Sequence, residues 1–274
     1  MEIGARLHHL QLLSPDPETC ARFYGRVYGM QVKGGGERWI CSAPQRRVLL
    51  AKGPANQLNF AAYAFGNDTA LHAYREGIEA RIAVDPGASP VFGSGAFTVI
   101  DPDGNRIVFG ADNAPASVDA PALSARLQHF AIRSHEPEVL VAFYRDTLGF
   151  VVSDRVEDDH GGLSACFLRT DAEHHALAIF RAPEVRHDHM SFEVTDWREV
   201  RDWADRVGAL GVPMVWGVGR HGPGNDTFFM VRDPDGNLAE ISAELEVCAP
   251  GRPAGTWPHE QRTLNLWGVA IMRS

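Results

Sequence analysis

The chain has 274 residues, enough for one or two substantial cores, and a formal charge of −9 with no basic run to grip a nucleic-acid backbone. No apolar run approaches the roughly twenty residues of a membrane-spanning helix, and MEIGARLHHL lacks the basic-then-apolar order of a signal peptide, so a cytoplasmic location is expected. The cysteines, Cys20, Cys41, Cys166 and Cys248, lie far apart among largely apolar neighbours, which suits reduced thiols rather than a zinc cluster.

Residues 6–13 read as a strand. Ser14-Pro15-Asp16-Pro17 supplies a turn and a helix start, with Pro17 at a first helical position where its missing N–H costs little. Ala21, Tyr24 and Tyr28, widened by Phe23 and Val27, then recur at helical spacing until Gly29. Strands are expected near 39–41, 47–50 and 58–65, a helix over 68–80, and strands over 96–99 and 106–109.

The order then returns. LHHLQLLSPDPETCARFYGRVYGM (7–30) matches LQHFAIRSHEPEVLVAFYRDTLGF (127–150) at an offset of 120, and TVIDPDGNRIVFG (98–110) matches MVRDPDGNLAEIS (230–242) at an offset of 132. An internal repeat implies one packing unit used twice. The reading is an α+β chain of two tandem modules, about 1–112 and 121–245, each a pair of βαβββ units, joined by NAPASVDAPALSA and followed by an extension, 246–274, whose apolar RTLNLWGVAI packs back on the body.

In the second module a helix is expected from Glu136-Pro137-Glu138 to about Leu148, with Val139, Phe143 and Leu148 on its apolar face. Strands follow near 150–154, 164–169, 176–180 and 189–194. Asp196 caps a helix ending near Ala209, whose Trp197 and Trp203 help cover the sheet. His221 stands in a turn before a strand over 227–231, a DPDG turn and a strand carrying Glu240.

Comparing the copies points to the chemistry. His129 is matched by His9, but His189 by Asn59 and Glu240 by Val108, so one copy keeps three candidate ligands and the other keeps one. Two imidazoles and a carboxylate on one wall of a sheet make a facial site for iron(II), with manganese(II) tolerated by the same donors. Twelve histidines also permit accidental triples, so satisfied core or surface histidines stay open on spacing alone.

The passages LQHFAIRS, HDHMSFEV, GRHGPGNDTFFMVRDPDGNLAEI and RTLNLWG resemble the vicinal oxygen chelate superfamily, and within it the two-domain type I extradiol ring-cleaving dioxygenases. The resemblance spans nearly the whole chain. It implies iron(II) held by His129, His189 and Glu240, a catecholic substrate, dioxygen as co-substrate, ring opening beside the two hydroxyls, and a homo-oligomer. It also implies roles for His175, fourteen residues before His189, near bound dioxygen, and for His221, nineteen before Glu240, near a substrate hydroxyl. One departure stands out: nine residues beyond His221, where such enzymes usually carry a tyrosine, this chain has Met230, whose thioether donates no hydrogen bond.

Arg220, Asn225, Asp226 and Trp216 are candidates for the pocket mouth, and Phe167 and Phe192 for aromatic walls, against ordinary turn, salt-bridge and core roles. Two rival functions remain on the same scaffold. One is another metal-dependent enzyme, an isomerase, hydrolase or thiol transferase; the other is a protein that sequesters an aromatic ligand.

Overall fold

The computed structural model describes residues 2–112 and 123–272. The first half runs β1 (Arg6–Ser14), α1 (Pro17–Tyr28), β2 (Gln31–Gly35), β3 (Arg38–Ala43), β4 (Arg46–Lys52), β5 (Gln57–Phe65), α2 (Asp68–Glu79), β6 (Asp85–Pro86), β7 (Phe97–Ile100) and β8 (Arg106–Ala111). The second runs β9 (Arg126–Ser134), α3 (Pro137–Ala142), β10 (Val151–Glu157), β11 (Leu163–Arg169), β12 (Leu177–Arg181), β13 (Arg186–Val194), α4 (Trp197–Ala209), β14 (Met214–Arg220), β15 (Thr227–Arg232) and β16 (Leu238–Ala243). A short β17 (Gly255–Pro258) and α5 (Gln261–Leu264) close the chain.

The strands form two mixed sheets, ordered β2-β3-β4-β1-β5-β8-β7-β6 and β14-β15-β16-β13-β9-β12-β11-β10-β17. Read from the β10 side, the second repeats the first strand for strand, with β17 added parallel to β10. Each half is therefore βαβββ twice over. The linker motif falls largely in 113–122, outside the described residues.

Local chemistry explains the element ends. Asp16 accepts the Thr19 N–H at 3.1 Å, Pro17 opens α1, and Gly29 closes it at φ 62°, a left-handed position that costs glycine little. At α4, Asp196 accepts from the Arg198 and Glu199 N–H groups. In both DPDGN turns the first aspartate accepts from its own turn: Asp233 Oδ1 takes the Asp235 and Asn237 N–H groups at 3.0 and 2.9 Å, and Asp101 Oδ1 takes those of Asp103 and Asn105 at 3.0 and 2.8 Å.

One face of each sheet meets the helices in a shared core that holds Tyr24, Tyr28, Tyr63, Phe109, Phe130, Tyr144, Phe192 and Trp203. The C-terminal carbonyls of α1 are satisfied across the halves. Arg206 Nε donates to Val27 O at 2.7 Å, while buried Arg46 donates to Tyr28 O and Ala125 O at 3.0 Å each.

Several expectations need correction. Strands β2 and β6 were not anticipated: β2 has only Val32 as a large apolar residue, and β6 is two residues long. The expected continuous helix to Leu148 is α3 followed by a π-helical turn, Phe143–Thr147. Leu140, Val141 and Tyr144 face inward, as Cys20, Ala21 and Tyr24 do in α1, and Val139 is 49% exposed. Trp203 is buried under α4, whereas Trp197 is 40% exposed and lies against Trp267. The counterpart of His189 is Phe60, not Asn59. His129 pairs with Ser191 and His9 with Ala62, so two residues back along each strand lie His189 and Phe60.

Among the described residues no helix is long and apolar enough to cross a membrane, and all four cysteines are buried free thiols.

Candidate metal centre

Strand β13 pairs with β9 on one side and β16 on the other, so Ser191 faces His129 and Glu240. His189 lies two residues from Ser191 on the same face, because side chains alternate along a strand. The three groups therefore converge: His129 Nε2 is 3.2 Å from His189 Nε2, and Glu240 Oε2 is 3.5 and 3.6 Å from the two. All are buried.

The hydrogen bonds fix which ring atoms carry protons. Asp188 Oδ1 lies 2.7 Å from His189 Nδ1, and a carboxylate only accepts, so that Nδ1 carries the hydrogen. Gln128 Nε2 donates to His175 O at 2.7 Å, which assigns Oε1 as the atom 2.6 Å from His129 Nδ1 and makes that ring the donor too. Both Nε2 atoms thus present lone pairs to one another, beside a carboxylate whose two buried oxygens have no well-formed hydrogen bond. Such a set repels itself unless a cation lies between its members. Donors about 2.1 Å from one ion and cis to each other stand about 3 Å apart, close to the distances here.

The donors therefore fit a divalent ion of the iron(II) or manganese(II) type, bound by His129, His189 and Glu240. Gln128 and Asp188 orient the two rings, and Arg133 Nε holds Asp188 Oδ2 at 2.6 Å. Burial lowers the His129 pKa to about 4, which keeps the ring neutral and able to ligate.

His175 lies over His129 with ring centroids 4.3 Å apart. Burial, then the neighbouring imidazoles, push its pKa well below the usual value, so its resting form is neutral. Behind it, His174 Nδ1 is 3.0 Å from His175 Nδ1, and His174 Nε2 is 3.2 Å from Asp154 Oδ2. Asp154 in turn accepts from Trp257 Nε1 at 2.7 Å and from Gly255 N at 3.0 Å, which ties β17 to this array.

His221 stacks on Phe228 with centroids 3.8 Å apart, and its Nδ1 donates to Leu264 O at 2.6 Å. The remaining Nε2 lone pair points toward Glu240 Oε1, 3.5 Å away. Burial opposes a charge on this ring, but Asp226, Glu240 and the Leu264 carbonyl outweigh it and raise the pKa. Asp226 is fully buried with neither carboxylate oxygen hydrogen-bonded, and burial pushes its pKa up to about 7.

A hollow opens over these groups, lined by His129, Phe167, His175, Phe180, His189, Trp216, His221, Pro223, Met230 and Leu264. Seven of the expected site residues besides Glu240 thus meet there: His129, His175, His189, His221, Phe167, Trp216 and Met230. Three do not. Phe192 faces the opposite side of β13 and packs on Tyr28 at 4.9 Å, as strand alternation dictates. Asn225 is an exposed turn residue at φ 57°. Arg220 is held outside by Glu244 at 2.6 Å and by Asn225 O at 2.5 Å.

The residues missed are Gln128, Asp188, Asp154, Phe180, Pro223 and Leu264, while Asp226, a candidate for the mouth, is instead fully buried. Gln128 and Asp188 immediately precede the two histidine ligands, a signal that was available. Asp154 and Leu264 are brought in only by tertiary folding.

The same face of the first sheet is filled. Leu49, Phe60, Ala62 and Val108 pack with Ile40, Val91 and Phe92, and His9 Nε2 bonds Ser89 Oγ at 2.6 Å. Phe60 and Val108 replace two ligands, and Phe92 lies 4.9 Å from the His9 ring centroid.

Residues 126–241 match the Glyoxalase/Bleomycin resistance protein/Dioxygenase superfamily. Metapyrocatechase 2 of Cupriavidus necator is 31% identical over 195 residues, 62% of this chain and 60% of that one. The match to a Pseudomonas metapyrocatechase covers only 39% of that protein, so the chain spans less than two thirds of these two relatives. Biphenyl-2,3-diol 1,2-dioxygenase of Paraburkholderia xenovorans is 29% identical over 69% of this chain and 70% of its own. Among solved structures, the Mn(II)-bound glyoxalase from Novosphingobium aromaticivorans superposes with a TM-score of 0.81 at 25% identity, covering 98% of this chain and 93% of that one. Homoprotocatechuate 2,3-dioxygenase from Brevibacterium fuscum, in complex with 3,4-dihydroxyphenylacetate, gives 0.80 at 23% identity, covering 97% and 89%, a likeness of fold.

Proposed function

We propose that the second-sheet site, whose residues 126–241 match the glyoxalase/bleomycin resistance protein/dioxygenase superfamily, catalyses iron(II)-dependent extradiol cleavage of a catechol by dioxygen. The observation that carries this reading is the convergence of the His129 and His189 Nε2 lone pairs on Glu240, with two further buried histidines, His175 and His221, lining the same hollow. Two of the similar curated proteins are named metapyrocatechase 2 and biphenyl-2,3-diol 1,2-dioxygenase, which supports this reading.

The reaction balances without an external reductant. The carbon–carbon bond beside the two hydroxyls breaks, both atoms of dioxygen enter the product, and the ring supplies the electrons. When bound at His129, His189 and Glu240, iron(II) supplies redox chemistry and holds both reactants in one orientation.

His221 receives the proton of one catechol hydroxyl at Nε2, its Nδ1–H remaining on Leu264 O. Asp226 stabilises the imidazolium so formed. His175, neutral at rest and packed against His129, takes and returns a proton on the other side of the substrate. Phe167, Phe180, Trp216 and Leu264 keep bulk water from the ring. Met230 stands beside Trp216, its cross-strand partner, on the same wall and donates no hydrogen bond, so orientation of the hydroxyls falls to His221.

The division into modules 1–112 and 121–245 with an extension from 246 belongs to the same proposal, supported by the repeated strand order. So does a homo-oligomer: Trp267, Val269 and Val218 are 52%, 77% and 40% exposed, on the tail and on edge strand β14. A metal-dependent isomerase is the second reading, favoured by the near-complete superposition on the Mn(II)-bound glyoxalase.

Oxygen uptake decides between them. Iron(II)-loaded protein supplied with catechols should consume one dioxygen per yellow ring-opened product, and His189→Ala should do neither. Stoichiometric iron with no uptake across simple, alkyl, carboxylated and biphenyl catechols would remove the ring-cleavage reading.

A further inference from the structure

We infer that the substrate is an uncharged catechol carrying a short apolar substituent, and that carboxylated catechols are rejected; this rests on the ring-cleavage reading of the same site. Apart from histidine, the hollow is walled by Phe167, Phe180, Trp216, Pro223, Met230 and Leu264. Among the described residues no lysine or arginine lines it.

Three guanidinium groups on strands that line the hollow are committed elsewhere. Arg220 is paired with Glu244 and lies 5.2 Å over the Trp267 ring. Arg133 is paired with Asp188. An adjoining hollow that shares Phe180 and Leu264 bears Arg181, whose Nε donates to Leu163 O at 2.9 Å and whose NH2 donates to Glu138 at 2.6 Å.

The buried charged groups near the hollow that lack hydrogen-bonded partners are acidic. Both oxygens of Asp226 and both of Glu240 lack a well-formed hydrogen bond. A substrate carboxylate would leave water for an apolar wall that offers it no cationic side chain, and would stand near the Asp226 carboxyl. A buried charge without a partner is strongly disfavoured. An alkyl group on the same carbon meets aromatic and thioether surface, and each buried methylene is worth about fourfold in affinity.

The test uses matched pairs on the iron(II)-loaded full chain. 4-Propylcatechol is set against 3,4-dihydroxyphenylacetate, and 3-isopropylcatechol against 2,3-dihydroxybenzoate. Oxygen uptake gives kcat/KM, and anaerobic titration followed by catecholate absorbance gives Kd. In each pair the alkyl compound should lead by about 100-fold or more in kcat/KM, most of it in Kd, as an uncompensated buried charge requires. Met230→Arg, which places a cation in the wall, should narrow the ratio at least tenfold. Carboxylated catechols cleaved and bound within tenfold of their alkyl partners would overturn the specificity while leaving ring cleavage intact. Failure of both members of each pair to consume dioxygen, with iron bound, would overturn the ring-cleavage reading and this inference with it.

Discussion

Tyr24 Oη donates to Asp233 Oδ2 at 2.9 Å, and the equivalent Tyr144 Oη donates to Asp101 Oδ2 at the same distance. Each tyrosine comes from the first helix of one half and each aspartate opens the DPDGN turn of the other. The repeat is thus not merely duplicated but clasped crosswise. Asp233 also anchors the turn between β15, which carries Met230, and β16, which carries Glu240.

Removing either hydroxyl leaves a buried carboxylate short of one donor, at a cost of about 1.5–3 kcal/mol. Tyr24→Phe and Tyr144→Phe should lower urea stability by similar amounts. Only Tyr24→Phe should also weaken metal retention, because its partner turn holds the Glu240 strand. Equal metal affinity in both variants would show that the clasp does not position the site.

The facing lone pairs of His129 and His189 predict a protein stabilised by its ion. Adding iron(II) or manganese(II) anaerobically should raise Tm, by the equivalent of about 2.7 kcal/mol at one hundred times Kd. In Glu240→Gln the shift should largely vanish, while the metal-free protein should be no less stable than the parent, since a buried charge with two unsatisfied oxygens is gone. A full metal-induced shift in Glu240→Gln would move the ion elsewhere.

Asp226 raises the pKa of His221 by favouring its charged form. His221 acts as a base only when neutral, so kcat/KM should fall on the acid side as this ring takes up a proton. Asp226→Asn removes the stabilising charge, lowers that pKa, and should move the acid limb to lower pH. His221→Asn should abolish the limb and cost about 100- to 10,000-fold in kcat. An unmoved limb in Asp226→Asn would assign it to another group.

Most of the fold was legible because the repeat is written twice: HHLQLLSPDP and QHFAIRSHEP show the same strand and helix start, and the DPDGN turns share one carboxylate cap. The ligands were legible for the related reason that one copy lost them. What failed did so locally. Comparing the copies put Asn59 opposite His189, whereas strand register puts Phe60 there, because insertions between strands shift an offset by one residue. Arg220 and Asn225 are adjacent to the site in sequence but point into their own turn, and proximity along a chain carries no direction. Leu264 and Asp154 reach the site from the tail and from β10, contacts that no local pattern encodes.

The relict side of the first half makes the last prediction. His8 is largely buried beside His9, at 2.7 Å between Nδ1 atoms, and beside Arg47, whose NH1 is 3.3 Å from its Nε2. Burial, then Arg47, lowers its pKa from 6.5 to about 4, against the opposing pull of Asp112. The unfolded chain therefore takes up a proton first as pH falls. The stability that His8 contributes is whole above pH 6.5 and is lost progressively as pH falls through 4. Between pH 6.5 and 5 this amounts to at most about 2 kcal/mol, from 1.36 kcal/mol per unit. His9, depressed by burial and by His8, adds to the same acid sensitivity. Urea unfolding of the parent at pH 7.5 and 5.0 should show this decline, and His8→Gln should flatten part of it while leaving the iron-dependent rise in Tm at pH 7.5 intact. An undiminished decline in His8→Gln would take the acid sensitivity away from His8 and assign it to other buried histidines, His9 among them.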